Sequence, residues 1–384
     1  MKRAAAVMSL GPCLGLALAG CALRPAPRRS EGGRVGASRG VEVSQGRVEV
    51  TQAEAPGVMS GRGCGGLWHA APRVEGEAVV DLAFELSHAC AVSASGVLRC
   101  AGENHLGELG SRGRGVTFRA GVALAEDVTA VRVGRRLTCA LTRDRRALCW
   151  GALDGIVPEA TQPFVLAEAD AVGLSVGAGV ACVRLASGRA QCAGRGVDAL
   201  GVLRDDLVGL SVEAMPEAVF WTRDGSLLVG RGRVAFAGAV DVAVGSLHAC
   251  ARTQSGDVGC WGDNGRGQLG SRLEPATPRT VLAAEVGCVT GLAMGSDHGC
   301  AVRSDGTVWC WGDNALGQLG DGTRRGRSRP EPVRGIAGAL RVFAGPGVSC
   351  AALVDGALWC WGAALWLPGE LPARLEQPTR VSWS

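Results

Sequence analysis

The sequence predicts an all-β fold, a seven-bladed β-propeller, and three observations support it. The chain of 384 residues contains 60 glycines and many short apolar runs, which favours strands and turns over long helices. Cysteine pairs with a constant spacing recur along it. Each pair lies in a unit of three or four short strands, and seven such units follow one another at intervals of roughly 30 to 50 residues. Radial closure of strand-rich, helix-free units is typical of propellers.

The composition excludes several classes of site. Lys2 is the only lysine and there is no tyrosine, which excludes a Schiff-base lysine and the phosphate-binding lysine of a P-loop after signal cleavage. The formal net charge of +4 gives no general reason to expect a nucleic acid as partner.

The N-terminus, residues 1–20, is predicted to be a lipoprotein signal peptide. A positive start, "MKR", precedes an apolar stretch too short and too often broken to span a membrane comfortably. The following "LAGC" (18–21) resembles the bacterial lipobox, which implies cleavage before Cys21 and a lipid on its sulfur. An ordinary signal peptide is the alternative. We therefore expect a lipid-anchored protein of the bacterial cell envelope, with the outer membrane as the favoured location.

Residues 21–63 are predicted to form a flexible tether, because they are rich in Pro, Arg, Gly and Ser and lack an apolar period. The propeller is predicted to occupy residues 64–384. Its seven blades are expected near 78–127, 128–170, 171–206, 207–238, 239–288, 289–337 and 338–384.

The recurring cysteines are predicted to form one disulfide within each of six blades. In "CAVRSDGTVWC" (300–310), a hairpin with Ser304-Asp305-Gly306 at its tip sets the two cysteines opposite each other. In the fourth copy, "VFWTRDGSLLV", Val219 and Val229 replace both cysteines together, as expected for one covalent bond in one apolar slot. The predicted pairs are Cys90–Cys100, Cys139–Cys149, Cys182–Cys192, Cys250–Cys260, Cys300–Cys310 and Cys350–Cys360.

Metal and redox roles for these cysteines fit less well. Two sulfurs per blade leave a zinc site incomplete, and redox sites favour a C-x-x-C spacing. We therefore expect no metal and no cofactor. Cys64 and Cys288 remain once Cys21 is lipidated, and their even number is the only support for a seventh bridge between them.

Most polar motifs are interpreted as structural. "GLSVG" (173–177) matches a nucleophile elbow but lies in the strand before a hairpin, where other copies have similar runs. His88, His248 and His298 share one blade position, and hydrogen bonding within the blade is favoured over convergence on the channel. The Asp-Asn pairs at 263–264 and 313–314 are expected to stabilise turns rather than to bind calcium.

Two features are candidates for binding a partner. "DGTRRGRSR" (321–329) concentrates arginines in one loop, where an anion or an acidic partner is the alternative to plain solvation. Trp366 lies outside the repeat pattern, so we expect it to be exposed. The loop arginines are Arg324, Arg325, Arg327 and Arg329.

"HGCAVRSDGTVWCWGDNALGQLGDGT" (298–323) resembles the repeat of the regulator of chromosome condensation family, and the resemblance extends more weakly over 64–384. The resemblance implies a seven-bladed propeller in which both chain ends contribute to one blade. "APRVEG" (71–76) is one candidate for the closing strand, and the terminal "PTRV" (378–381) competes with it.

The favoured function is a non-enzymatic scaffold that binds a protein or a polymer, with a monomeric ring and no nucleic acid as partner. The resemblance is consistent with this, since the family includes secreted bacterial propellers that bind and inhibit β-lactamases. An envelope enzyme that uses the channel is the alternative. Guanine nucleotide exchange, known in the family, fits poorly with export.

Overall fold

A computed structural model provides the structure of the protein. The described residues are 77–110, 115–124, 127–153, 163–177, 179–194, 206–212, 218–230, 232–272, 282–368 and 371–383. The predicted signal peptide and tether, together with Cys21 and Cys64, lie outside them. The regular structure of the described residues is entirely β-strand, and none of it forms a helix that is long and apolar enough to cross a membrane.

The strands form seven antiparallel sheets, each made of consecutive strands in chain order, so the fold is the predicted seven-bladed β-propeller. The third blade has three described strands and the others have four. The first three blades comprise β1 (Val79–Phe84), β2 (His88–Ser93), β3 (Leu98–Glu103), β4 (Val116–Leu124); β5 (Val128–Gly134), β6 (Leu137–Thr142), β7 (Ala147–Gly151), β8 (Phe164–Ala167); β9 (Ala171–Val176), β10 (Val180–Leu185) and β11 (Ala190–Gly194).

The remaining four blades have the same plan. Their strands are β12 (Leu207–Ser211), β13 (Val219–Thr222), β14 (Leu227–Val229), β15 (Gly232–Val234); β16 (Ala239–Val244), β17 (His248–Thr253), β18 (Val258–Gly262), β19 (Leu282–Ala283); β20 (Val289–Met294), β21 (His298–Arg303), β22 (Val308–Gly312), β23 (Arg327–Pro332); β24 (Ala339–Gly345), β25 (Val348–Leu353), β26 (Leu358–Ala363) and β27 (Arg374–Val381).

The C-terminal strand completes the last blade. β27 contains the "PTRV" sequence and pairs with β26, with Cys360 opposite Thr379 and Leu358 opposite Val381. The sequence left two candidates for this position, and the structure assigns it to the C-terminal one. The other candidate, residues 71–76, lies outside the described residues.

The central hairpin of each blade has the predicted register. Cys300 pairs with Cys310 and Val302 with Val308, and the Gly306 N–H donates to the Arg303 carbonyl at 2.9 Å. Gly306 has φ +76°, a left-handed conformation that glycine adopts without steric penalty. Arg145 has φ +64° at the same place in the second blade, so that turn persists although its residue is not glycine.

All six predicted intrablade disulfides are present. The paired Cα atoms lie 4.0–4.2 Å apart, which agrees with directly opposed residues of an antiparallel pair. In the fourth blade, Val219 pairs with Val229 in the same register. Both valines are buried, so an apolar pair fills the space that a cystine fills elsewhere.

Each cystine packs against the next blade, and eleven of the twelve cysteines in the six blades are buried, with Cys192 partly buried. Cys300 and Cys310 share a core cluster with Trp361 of the seventh blade, and Val219 and Val229 share one with Trp261 of the fifth blade. At all seven junctions the cystine or valine pair shares a core with apolar residues of the next blade, and at four of them these include a tryptophan. The ring therefore has seven small cores between blades.

Hairpin tips also bond to the following blade through the backbone. The Gly306 carbonyl accepts from the Ala339 N–H at 3.0 Å, where the seventh blade begins. Equivalent bonds reach Val128, Ala171, Leu207, Ala239 and Val289, so they cover the six junctions that the chain itself connects. The seventh junction has no connecting chain segment, and side chains contribute bonds there: the Arg341 guanidinium donates to the Val80 carbonyl at 3.0 Å.

Replacing Cys300 and Cys310 together by Val tests how much the covalent bond stabilises a blade. The double variant keeps the slot apolar but releases a loop with a sequence separation of 10. We expect it to lose about 2–3 kcal/mol of unfolding free energy, measured by urea denaturation. Cys300→Ser should lose more, because it leaves a hydroxyl and an unpaired thiol in a buried site. An unchanged midpoint for the double variant would contradict this role.

Candidate binding surface

The ring has two different faces. Because neighbouring strands are antiparallel, the turn between the first and second strands lies at the same end of a blade as the connection between the third and fourth. We call this end the loop face, and the opposite end, with the hairpin tips, the hairpin face. Backbone bonds join the two kinds of loop: the Asp263 N–H donates to the Leu247 carbonyl and the Asp313 N–H to the Asp297 carbonyl, both at 2.9 Å.

The glycine-rich loops of the fifth and sixth blades are stabilised internally. The Asn314 side-chain oxygen accepts from the Leu319 N–H at 3.0 Å, and the Gln318 side-chain amide donates to the Asp313 carboxylate at 2.8 Å. The fifth blade repeats both bonds through Asn264 and Gln268. These are the predicted turn-stabilising roles. In the described part of the chain, no group of three or more His, Cys, Asp or Glu is placed to hold a metal ion.

Two of the three recurrent histidines bond to the following blade through Nε2, which the sequence did not predict. His88 also has the predicted kind of contact within its own blade, since its Nδ1 lies 2.9 Å from the Ser87 hydroxyl. His298 Nε2 lies 2.8 Å from the Ser349 hydroxyl, which donates to the Gln318 carbonyl at 2.9 Å. Since the hydroxyl proton points to that carbonyl, the ring is the donor. His88 makes the matching contact with Thr138 at 2.7 Å.

His248 shows what happens when the hydroxyl is missing. The residue that corresponds to Ser349 in the next blade is Gly299, and both ring nitrogens of His248 lack a hydrogen-bond partner among the described residues. Burial lowers the pKa of His248 to about 4 and the pKa values of His88 and His298 to about 3. The three imidazoles are therefore neutral at pH 7.

The tryptophans after the second cysteines pack between blades, as predicted. Trp361 Nε1 donates to the Gln318 carbonyl of the preceding blade at 2.9 Å, and Trp311 Nε1 donates to the Gln268 carbonyl at 2.9 Å. The indole can approach closely because Gly320 has no side chain: a Cβ at this position would lie 2.8 Å from the Trp361 ring. The final glycine of each such loop thus makes room for the next blade's tryptophan.

Ser175 of the "GLSVG" segment has a structural contact. Its side chain is buried in β9, and its hydroxyl accepts from the Val212 N–H of the next blade at 2.9 Å. The position therefore follows the repeat pattern, as interpreted from the sequence.

The arginines of residues 321–329 are largely balanced by carboxylates. Three of the four form ion pairs with described residues, while Arg325 is exposed. An anion-binding role for this loop stays a prediction, and the local carboxylates oppose it. The ion pairs are Arg324–Glu376 at 3.6 Å, Arg327–Asp321 at 2.7 Å, Arg327–Glu331, and Arg329–Glu285 at 2.8 Å.

Trp366 is half-buried, not fully exposed as the sequence suggested. It packs against the core cluster between the seventh and first blades, and its Nε1 donates to the Leu86 carbonyl at 2.7 Å. The sequence could not predict this contact because its partner lies 280 positions away in the chain. Trp366 therefore helps to close the ring on the loop face.

Cys288 is disulfide-bonded, and its predicted partner, Cys64, lies outside the described residues. All other described cysteines are paired with one another, so the partner of Cys288 is not among them. Cys288 lies on the hairpin face, where its carbonyl accepts from the Ser304 N–H at 2.8 Å. The Cys64–Cys288 pairing stays a prediction.

Sequence reasoning missed the hydroxyls at Thr138 and Ser349 and the exposed side chains Leu86 and Leu365. The hydroxyls were detectable, since each directly precedes the first cysteine of a blade that follows a histidine-bearing blade. The exposed leucines have no such signal, because their exposure depends on where the ring closes.

Ser349→Ala tests the contact across the last junction. The variant leaves His298 Nε2 without its acceptor while the Gln318 carbonyl keeps the Trp361 bond. We expect a loss of about 1–3 kcal/mol in unfolding free energy, measured by chemical denaturation at pH 7.5. Thr138→Ser is the control, because it retains the hydroxyl at the equivalent junction and should lose less. Equal losses in both variants would contradict a role for the hydroxyl.

The buried histidines predict destabilisation by acid. Their folded pKa values lie below the ordinary 6.5, so their contribution is complete above pH 6.5 and decreases as the pH falls toward about 4 for His248 and about 3 for His88 and His298. Between pH 7 and pH 5 each should remove about 2 kcal/mol, measured from denaturation midpoints. His248→Leu should flatten this dependence relative to the wild type; an unchanged slope would contradict the prediction.

The repeat units of the later blades match known family models. Models of the regulator of chromosome condensation (RCC1) repeat match residues 239–268, 289–318 and 305–352, which lie in the fifth to seventh blades. The resemblance recognised in the sequence is therefore confirmed. No curated protein matches the chain significantly.

Solved structures support the fold. Prp20p from Saccharomyces cerevisiae, described with its binding to Gsp1p and histones, is 17% identical, with a TM-score of 0.51 over 78% of this chain and 76% of that one. Human WBSCR16 is 18% identical, with a TM-score of 0.51 over 81% and 83%. A structure of Kap60 bound to yeast RCC1 (Prp20) gives 16% identity and a TM-score of 0.51 over 78% and 74%. At these identities the likeness concerns the fold.

Proposed function

The chain is a seven-bladed propeller that carries regulator of chromosome condensation repeats, and we propose that it is a lipid-anchored binding module of the bacterial cell envelope. In this proposal the ring binds another protein without catalysing a reaction on it. Cys21 carries the lipid, and residues 21–63 form the tether between membrane and ring.

The six cystines are the observation that carries the proposed location. The twelve sulfurs are almost all buried in the junction cores, where reduction would place paired thiols between packed blades. Disulfides persist in the periplasm and at cell surfaces but are rare in the cytosol, where thiols are kept reduced. A ring whose blades are cross-linked in this way is consistent with the export signal read at its N-terminus.

The use of its polar side chains supports binding rather than catalysis. The recurrent histidines are buried and neutral, and two of them are occupied in contacts between blades. The Ser175 hydroxyl is bonded to the next blade. What the ring presents to solvent is a rigid frame with variable loops, which is a common design for protein recognition.

Solved structures with the same fold support a protein as the partner. The yeast propeller Prp20p is described with binding to Gsp1p and histones, and with Kap60, so propellers of this fold recognise other proteins. Nucleotide exchange on a GTPase would require a cytoplasmic ring, which the cystines do not favour.

Lipid labelling tests the anchor. A bacterial host that makes the full chain would be grown with an alkyne fatty acid, and the wild-type protein should incorporate the label and sediment with envelopes. Cys21→Ser should lose the label and leave the membrane fraction, since the acylated sulfur is gone. Thiol counting on the same samples should find the ring cysteines oxidised.

Affinity purification of the wild-type ring from solubilised envelopes should retain an envelope protein, and prior reduction of the disulfides should abolish its retention. Recovery of the chain in the cytosol with free ring thiols would contradict the proposed location. If the ring converted a small molecule into a product, a purely binding role would be contradicted.

A further inference from the structure

The junction of the seventh and first blades carries an exposed apolar surface. Leu86 and Leu365 are 66% and 57% exposed, the two highest values among large apolar side chains in the described part of the chain. The bond from Trp366 Nε1 to the Leu86 carbonyl places both leucines at the same junction on the loop face. Single exposed leucines are ordinary, but a cluster beside a tryptophan is typical of interaction sites.

Exposed cations border this surface. The Ser87 hydroxyl donates to the Arg135 carbonyl at 3.0 Å, which places Arg135 and Arg136 of the second blade next to the Leu86 turn. Arg374 begins β27 opposite Ala363, close to Leu365 along the chain. All three arginines are exposed. Arg135 interacts electrostatically with the Glu85 carboxylate, whereas neither Arg136 nor Arg374 forms an ion pair with a described carboxylate.

Two carboxylates lie at the same rim. Glu85 and Glu103 are both half-buried, and the Glu103 N–H donates to the Ser87 carbonyl at 2.8 Å. Burial raises the pKa of Glu85. Arg136 and Arg374 thus keep an exposed positive charge at this junction, whereas carboxylates pair with three of the four arginines of residues 321–329.

We propose that Leu86, Leu365, Trp366 and the flanking Arg135, Arg136 and Arg374, together called the closure patch, form a docking site for an acidic protein segment with an apolar anchor side chain. The inference rests on the proposed function, since it names the surface and partner chemistry of that binding module. The anchor would cover the leucines and the indole, and carboxylates beside it would pair with the three guanidinium groups.

The experiment uses three fluorescent dodecapeptides and the full-length oxidised protein in mild detergent. The first peptide carries one Trp and one Leu among six Asp or Glu, the second replaces each acid by Lys, and the third replaces Trp and Leu by Ser. Fluorescence polarisation should show binding of the first peptide at least tenfold tighter than binding of the other two.

Variants locate the site. Leu86→Ser with Leu365→Ser, and separately Arg135→Gln with Arg136→Gln, should each weaken binding of the first peptide at least tenfold. Leu247→Ser is the matched control, because Leu247 is 55% exposed in the corresponding turn of the fifth blade. Arg325→Gln is the charge control. Both controls should bind as the wild type does, and thermal unfolding should confirm that every variant is folded.

Three results would overturn the closure patch. They are an absence of peptide binding at millimolar concentration, equal binding of the basic peptide, and loss of binding in the Leu247→Ser control alone. A fourth arm uses vesicles of phosphatidylglycerol, and binding to them that depends on the same residues, without peptide binding, would assign the surface to a membrane. Failure of lipid labelling at Cys21 would instead remove the proposed location and leave the peptide result unaffected.

Discussion

Packing of each blade's central hairpin against the next blade is the contact on which the ring depends. One four-stranded sheet has two apolar faces and cannot bury both by itself. In the sixth blade, Cys300 and Cys310 are covered by Trp361 from the seventh. Because this packing excludes water, polar atoms in the junctions need partners, and the His298–Ser349–Gln318 contacts supply them. The cystines, the tryptophans and the buried histidines are thus parts of one interface repeated around the ring.

The junction between the last and first blades lacks a connecting chain segment. Side chains add bonds there, namely Arg341 to the Val80 carbonyl and Trp366 to the Leu86 carbonyl. The same departure from the repeat leaves Leu86 and Leu365 exposed on the loop face. Positions where local rules are broken are often functional, and the interaction surface proposed for this protein lies at the place where the repeat is interrupted.

Features that depend on near neighbours in the chain were predictable. A glycine at the hairpin tip determines the turn, the turn determines the register, and the register places Cys300 opposite Cys310. The valine pair of the fourth blade could be identified by the same alignment. Features that depend on distant residues were not predictable in the same way: His88 meets Thr138 fifty positions away, and Arg329 meets Glu285 in another blade.

By itself, the sequence determined the number of blades, the hairpin register and the disulfide pairing, because each arises from spacing within a few residues that the backbone geometry converts directly into contacts. Only the tertiary structure decided which strand completes the seventh blade, how the histidines are paired and which arginines keep an exposed charge. Those outcomes depend on ring closure, which brings together groups separated by tens to hundreds of residues. The spacing of neighbouring residues in the sequence does not predict such contacts.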